Sequence, residues 1–311
     1  MIIGYHASHE QFGPRELLEL ALEAEDAGFD AVSSSDHIAP WDVKRENVCA
    51  AAWPWLGAVL ERTRLSATVV TTPGYRYPVP VLAQMIATLA ELSPGRFRVA
   101  LGSGEALNER SSTERWPDKD ERDARLRAAA TEISTLLETG RTSENRLYLR
   151  PEVPPEVAVA AVTAYTAGSV STWWRSLVTI ADTPPATQER IDAFRSGAGE
   201  GARIALKAQC SFASTREHAE REAVAQWRNP MLPPEKLAEL PTPEAFAAAG
   251  EQVSRDTVIE KIRPISSDRE LGDWLDELAA FDVAEITLHN VSAHQREFVQ
   301  ALGRLGLDRW R

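Results

Sequence analysis

Short apolar runs alternate with longer amphipathic stretches along most of the chain. Ile2-Ile3-Gly4-Tyr5 reads as a first strand. Pro14 to Ala27 follows with leucines at 17, 18, 20 and 22 and alanines at 21 and 24. Proline in its first turn and Gly28 just past its end predict a helix. Asp30 to Ser34 predicts a second strand, Leu65 to Val70 a third, and Val79 to Leu92 a helix. Arg96 to Leu101 reads as a fourth strand, followed by a charged amphipathic helix over Lys119 to Glu138. Val157 to Val162 and Leu177 to Ala181 supply the fifth and sixth, the latter followed by a helix through Phe194. Arg203 to Cys210 is the seventh, with a helix over Thr215 to Trp227. Arg269 to Phe281 and Ala293 to Leu305 read as helices around the eighth strand, Glu285 to Leu288.

Eight strands alternating with helices predict an α/β protein built as a parallel (β/α)8 TIM barrel. A doubly wound open sheet is the competitor, and it usually carries a glycine-rich phosphate turn after its first strand. Here that position reads His6-Ala7-Ser8-His9. No linker divides the chain, so residues 1–311 are expected to form a single barrel domain. Its longest irregular stretch is 229–253, with Pro230, Pro233, Pro234, Pro241 and Pro243, and it is expected to cover the barrel mouth.

Composition narrows the class. Apolar residues make up 43% and charged residues 26% of 311 positions, a globular balance. A net charge of −12 points away from nucleic acid and anionic membranes and toward a small-molecule partner. Two distant cysteines, Cys49 and Cys210, form no disulfide framework and fit a reducing cytoplasm. The opening MIIGYHASHEQF has no basic segment, so no signal peptide is expected. No stretch reaches the roughly 18 apolar residues of a membrane span.

In such a barrel the chemistry sits where strands end and loops begin. Those positions hold His6 and His9, Asp36 and His37, Thr71 and Thr72, Ser103, Glu105 and Asn108, Thr163, and His289 and Asn290. With His294 included, all histidines but His218 lie there. Asp36-His37 with Trp41 reads as a catalytic imidazole beside an apolar wall, or as a helix cap with packed rings. In LGSGEALNE, Gly102 and Gly104 permit close backbone approach, and Glu105 sits where a carboxyl is desolvated. The bland reading of that stretch is a glycine turn into a helix. His-Ala-Ser-His is weak as a metal motif. Trp173-Trp174 suits core or interface packing.

Together GYHASHEQFGP, SDHIAPW, TTP and GSGEALNE resemble the bacterial luciferase-like flavin superfamily. They lie nearest the branch of deazaflavin-dependent glucose-6-phosphate dehydrogenase and its paralogues expected to use an ordinary flavin. The resemblance is strong over residues 1 to about 130 and returns at strand seven, Gln226-Trp227-Arg228 and 288–290. It implies coenzyme F420 or FMN as cofactor and no metal. It implies that His37 takes a substrate hydroxyl proton, that Trp41 packs by ring and substrate, and that Glu105 is an acid facing the ring. Asp36, Ser103, Gly104, Asn108 and Thr163 match cofactor-contacting positions, and Val69-Val70 matches a non-proline cis peptide behind the ring. His6, His9 and His289 are then expected in the substrate pocket, and a homodimer is the expected assembly.

Departures from the family pattern matter. The stretch after strand five reads AAVTAYTAGSVSTWW, Gly140 to Pro155 is short, and Arg175-Ser176 stands before strand six. These changes fall where the cofactor phosphate would be held. Lys261 and Arg263 are offset from the family's sugar-phosphate cations, which argues against glucose 6-phosphate. The expected function is hydride transfer between a small organic substrate and F420 or FMN. Alternatives are an FMN monooxygenase, a member that has lost its cofactor, and a metal-dependent hydrolase using His6, His9, Asp36 and His289.

Overall fold

A computed structural model describes residues 1–199 and 201–311. Nine strands run in parallel: β1 (Ile2–Ala7), β2 (Ala31–Ser35), β3 (Ser66–Thr71), β4 (Phe97–Leu101), β5 (Glu156–Ala160), β6 (Ser176–Ile180), β7 (Arg203–Phe212), β8 (Arg263–Ile265) and β9 (Glu285–Asn290). Consecutive pairing from β1 to β7, with β9 closing between β7 and β1, makes a barrel. The eighth strand read from sequence is therefore β9. The intervening β8 pairs only with the end of β7, through Cys210, Ser211 and Phe212. Apart from that added strand, the (β/α)8 expectation holds.

The apolar core lies between barrel and helices. It takes Leu17, Leu20, Ala21 and Ala24 from helix Pro14–Asp26 and Phe298, Val299 and Leu302 from helix Gln295–Leu305. Strands alternate between this layer and the lumen. On β7, Ile204, Leu206, Ala208 and Cys210 are buried against helices, while Ala205, Lys207 and Gln209 are half-buried and line the interior. Across the lumen floor, Arg98 of β4 meets Glu285 of β9 at 2.5 Å, both side chains nearly inaccessible.

Three expectations need correction. The Val69–Val70 peptide is trans, as is every described bond. Val69 and Val70 hold unbroken register with Ser34 and Ser35 on one side and Val99 and Ala100 on the other, which an extended trans chain satisfies without the cost of a cis bond. A helix not foreseen, Ala52–Arg62, joins β2 to β3 and buries Trp53, Trp55, Leu56, Val59 and Leu60. The stretch at 229–253 is ordered: a 3-10 turn at Asn229–Met231 and helices Pro234–Leu237 and Pro243–Gly250, followed by Arg255–Lys261. Pro230, Pro234 and Pro243 stand in the first turns of these pieces, where a missing N–H costs nothing. This segment has a small core of its own, with Trp227, Leu232, Ala249, Val253, Val258 and Ile262, against which Trp41 packs.

Candidate functional site

The loops after β1, β2 and β4 and the lumen ends of β7 and β9 converge at the C-terminal mouth of the barrel. His37 Nδ1 lies 3.5 Å from Glu10 Oε1 and makes no hydrogen bond, and Nε2 is left without a protein partner. Trp41 stands edge-to-face on His37 at 4.7 Å between ring centres. The wall continues from Trp41 to Trp227 (5.3 Å), from Trp227 to His289 (4.7 Å), and from His289 to His6 (4.5 Å). Beside Trp41, Trp227 and Glu10 opens a cleft of about 700 Å³, bounded by residues 42–45 and the helix Arg216–Trp227.

Two carboxylates near the mouth have opposite surroundings. Asp36 is 4% exposed. It accepts from Thr71 Oγ1 (2.9 Å), Trp53 Nε1 (3.2 Å) and Tyr77 OH (3.4 Å), with Arg76 3.6 Å away. Burial and that carboxylate push the Tyr77 phenol up to about 12. Glu105 has one long contact, from Asn108 Nδ2 at 3.4 Å. Burial raises the Glu105 carboxyl above the usual carboxylate range, against the pull of His37 and of the Trp41 indole. That indole N–H faces Glu105 without closing a hydrogen bond. Asn108 also accepts from the Ile38 backbone N–H at 3.0 Å, fastening the β2 loop to the β4 loop.

Gly104 has φ +91°, and a side-chain carbon there would lie 2.9 Å from Thr72 Cγ2 and 3.2 Å from Trp116. Only glycine keeps Ser103 and Glu105 in this turn without displacement. Val69 is buried, while Val70 and Ser103 are half-buried at the lumen rim. Thr163 caps the helix Ala164–Ser171 by accepting from the Thr166 N–H.

His6 and His289 share the lumen, and His9 does not join them. Its ring is buried edge-on to Trp55 at 4.8 Å, with neither nitrogen hydrogen-bonded. The ligand set that a metal hydrolase would need is not assembled. Asp36 is engaged by the donors above, and among the described residues no three His, Cys, Asp or Glu converge on one point. Of the offset cations, Lys261 pairs with Asp182 at 3.4 Å and Arg263 with Glu277.

Sequence reasoning missed Glu10 and Lys207. Lys207 Nζ contacts His6 Nε2 at 3.1 Å, and His6 Nδ1 contacts Ser33 Oγ at 2.8 Å. An ammonium has no acceptor, so His6 Nε2 accepts and Nδ1 donates to Ser33. Burial and the neighbouring ammonium hold His6 well below the usual imidazole range, in the neutral form. Lys207 itself is lowered to about 8 by desolvation, which outweighs the attraction of Glu10 and Glu105. The Lys207 side chain as a whole is half-buried, with its ammonium turned into the lumen toward His6. The sequence signal was alternation, since Arg203, Lys207 and Gln209 fall on one face of an apolar strand.

The chain matches the family model for luciferase-like monooxygenases over residues 3–285. An F420-dependent glucose-6-phosphate dehydrogenase of Kribbella flavida is 46% identical over 172 residues, 51% of each chain, so the match spans about half that relative's length. The same-named protein of Nakamurella multipartita is 35% identical over 262 residues, 77% of this chain and 76% of the relative. Among solved structures, an F420-dependent secondary alcohol dehydrogenase in complex with an F420-acetone adduct superposes with TM-score 0.90 and 26% identity, over 100% of this chain and 99% of that one. The tetrahydromethanopterin reductase of Methanopyrus kandleri superposes with TM-score 0.75 at 15% identity, over 100% and 99% of the two chains, a likeness of fold alone. With the barrel, the mouth geometry and the matched model in agreement, the chain belongs to the luciferase-like monooxygenase family.

Proposed function

We propose that this protein is an oxidoreductase that moves a hydride between a small organic alcohol and a flavin-type cofactor. One observation carries the reading: His37, Trp41 and Glu105 meet at the mouth with His37 Nδ1 and Trp41 Nε1 buried and free of hydrogen bonds. Buried polar atoms are normally satisfied, so a cluster of free ones facing one cleft reads as a site kept for a ligand. The residues suit a flat heteroaromatic ring. Gly104 leaves room where any side chain would collide, and the wall from Trp41 to His289 is aromatic. Names of relatives favour coenzyme F420, with FMN the other candidate. When bound, the cofactor supplies the acceptor for the hydride.

The chain's own residues handle the proton. His37 Nε2 takes it from the substrate hydroxyl, and Glu10 behind Nδ1 stabilises the imidazolium that forms. Glu105, whose protonated form burial favours, can place a proton donor at the mouth. Trp41 and Trp227 exclude water from the reacting face. Asp36 with Arg76 and Tyr77 shapes the β2 loop that aims His37. Lys261 and Arg263 are already paired, which supports a substrate other than glucose 6-phosphate.

The test is a titration of purified protein with FMN and with oxidised F420, following tryptophan fluorescence. Saturable micromolar binding of one ligand is expected, because Trp41 and Trp227 border the site. Binding of neither would overturn the proposal and favour a member that has lost its cofactor.

A further inference from the structure

We infer that Lys207 is a substrate-binding residue that holds an anionic group, so that the alcohol oxidised here carries a carboxylate or similar small anion. The inference rests on the function proposed above and names the substrate class of that site.

Geometry carries it. An ammonium has three N–H donors. One of them meets His6 Nε2, and no further acceptor for Lys207 and no ion pair to it exist among the described residues. No carboxylate contacts it directly among the described residues. His6 is committed to Ser33 on its far side. His289 accepts from Gln209 at Nδ1 and donates from Nε2 to Gln11, both at 3.3 Å, and burial keeps it neutral. Glu10 and Glu105 attract the ammonium from the rim loops, and His37 stands beyond them. A desolvated charge without a partner is costly, and a protein retains one where a ligand completes it. The other lumen charge, Arg98, has its partner in Glu285. Lys207 is therefore the position in the lumen where an incoming anion gains most.

Two observations bear on the substrate's shape. The anion enters a lumen whose nearby inward positions are small, with Ala160 on β5 and Ala205 on β7. It must leave the hydroxyl at His37, at the rim. A short hydroxy acid meets both needs. Burial lowers the Lys207 ammonium to about 8, and it binds such a group best when charged.

The experiment compares glycolate and lactate with their uncharged amides, glycolamide and lactamide, by tryptophan fluorescence on cofactor-free protein. The acids should bind more tightly than the amides by on the order of 10- to 100-fold, as for one hydrogen bond to a charged group. Their affinity should fall as pH rises through about 8, where Lys207 loses its proton. Lys207→Met should abolish the preference and its pH dependence, and Lys207→Arg should restore the preference without the pH step. Melting curves exclude unfolding in either variant. Equal binding of acid and amide, or a preference untouched by Lys207→Met, overturns the inference. So does a Lys207→Met variant that weakens only FMN or F420, since Lys207 would then serve the cofactor. Cofactor titration of the same samples keeps failure of the parent reading visible on its own.

Discussion

The floor and the rim of the lumen each hold buried charge, and they treat it differently. At the floor Arg98 and Glu285 face each other across the barrel at 2.5 Å. The contact is ionic rather than a well-directed hydrogen bond, since Arg98 Nε and Nη2 and Glu285 Oε2 have no hydrogen-bond partner. Toward the mouth, Lys207 has only a neutral imidazole, Glu105 at the rim a single long contact, and His37 Nδ1 none. Asp36, a few residues before Trp41, belongs with the floor in this respect, because its carboxylate is surrounded by donors. Charge that is paired within the chain serves the fold. Charge left open toward a cleft serves something that arrives from outside.

Four substitutions sharpen or break this contrast. His37→Ala should lower turnover by ~10²–10⁴, the range for a lost general base, with cofactor affinity nearly intact. Steady-state rates beside a cofactor titration check it, and unchanged turnover would remove His37 from the chemistry. Arg98→Met should cost about 3–5 kcal/mol in denaturant unfolding, because it strands Glu285 in the floor. A loss under 1 kcal/mol would mean the floor pair is no more structural than the rim. Glu105→Gln should reduce turnover more than tenfold with the melting temperature unchanged or raised. The sign follows from the raised carboxyl: folding favours its protonated form, so stability falls as pH rises past the normal carboxylate range, and a neutral amide removes that loss. A large drop in melting temperature would place Glu105 with the structural charges. Lys207→Met should raise stability at neutral pH, because it removes a desolvated ammonium from the lumen. Here the native value of about 8 lies below the unfolded one, so wild-type stability rises between about pH 8 and 10.5 and the variant's does not.

How much of this was legible in the sequence depends on distance along the chain. The barrel strands were, because parallel strands covered on both sides read as short apolar runs. The pairing of Asp36 was not, since its donors Trp53, Thr71, Arg76 and Tyr77 come from three later segments. Helix Ala52–Arg62 had its signal in buried positions 52, 53, 55, 56, 59 and 60, masked by Pro54. Residues 229–253 looked irregular because their helices span four to eight residues, below what periodicity resolves. His37, Trp41 and Glu105 stand out in the sequence through strand ends and family resemblance together. Lys207 lies inside β7, away from the strand ends where the other candidate residues stand.

The separate small core around Trp227 has a consequence for motion. That cluster is distinct from the barrel core and joins the sheet through helix Arg216–Trp227, Val291 and the three-residue strand β8. Fewer buried contacts hold it than hold the barrel, so its amides should exchange with solvent through partial opening while the strands stay protected. Trp227 forms one wall of the site, and such openings would set the rate at which molecules enter and leave.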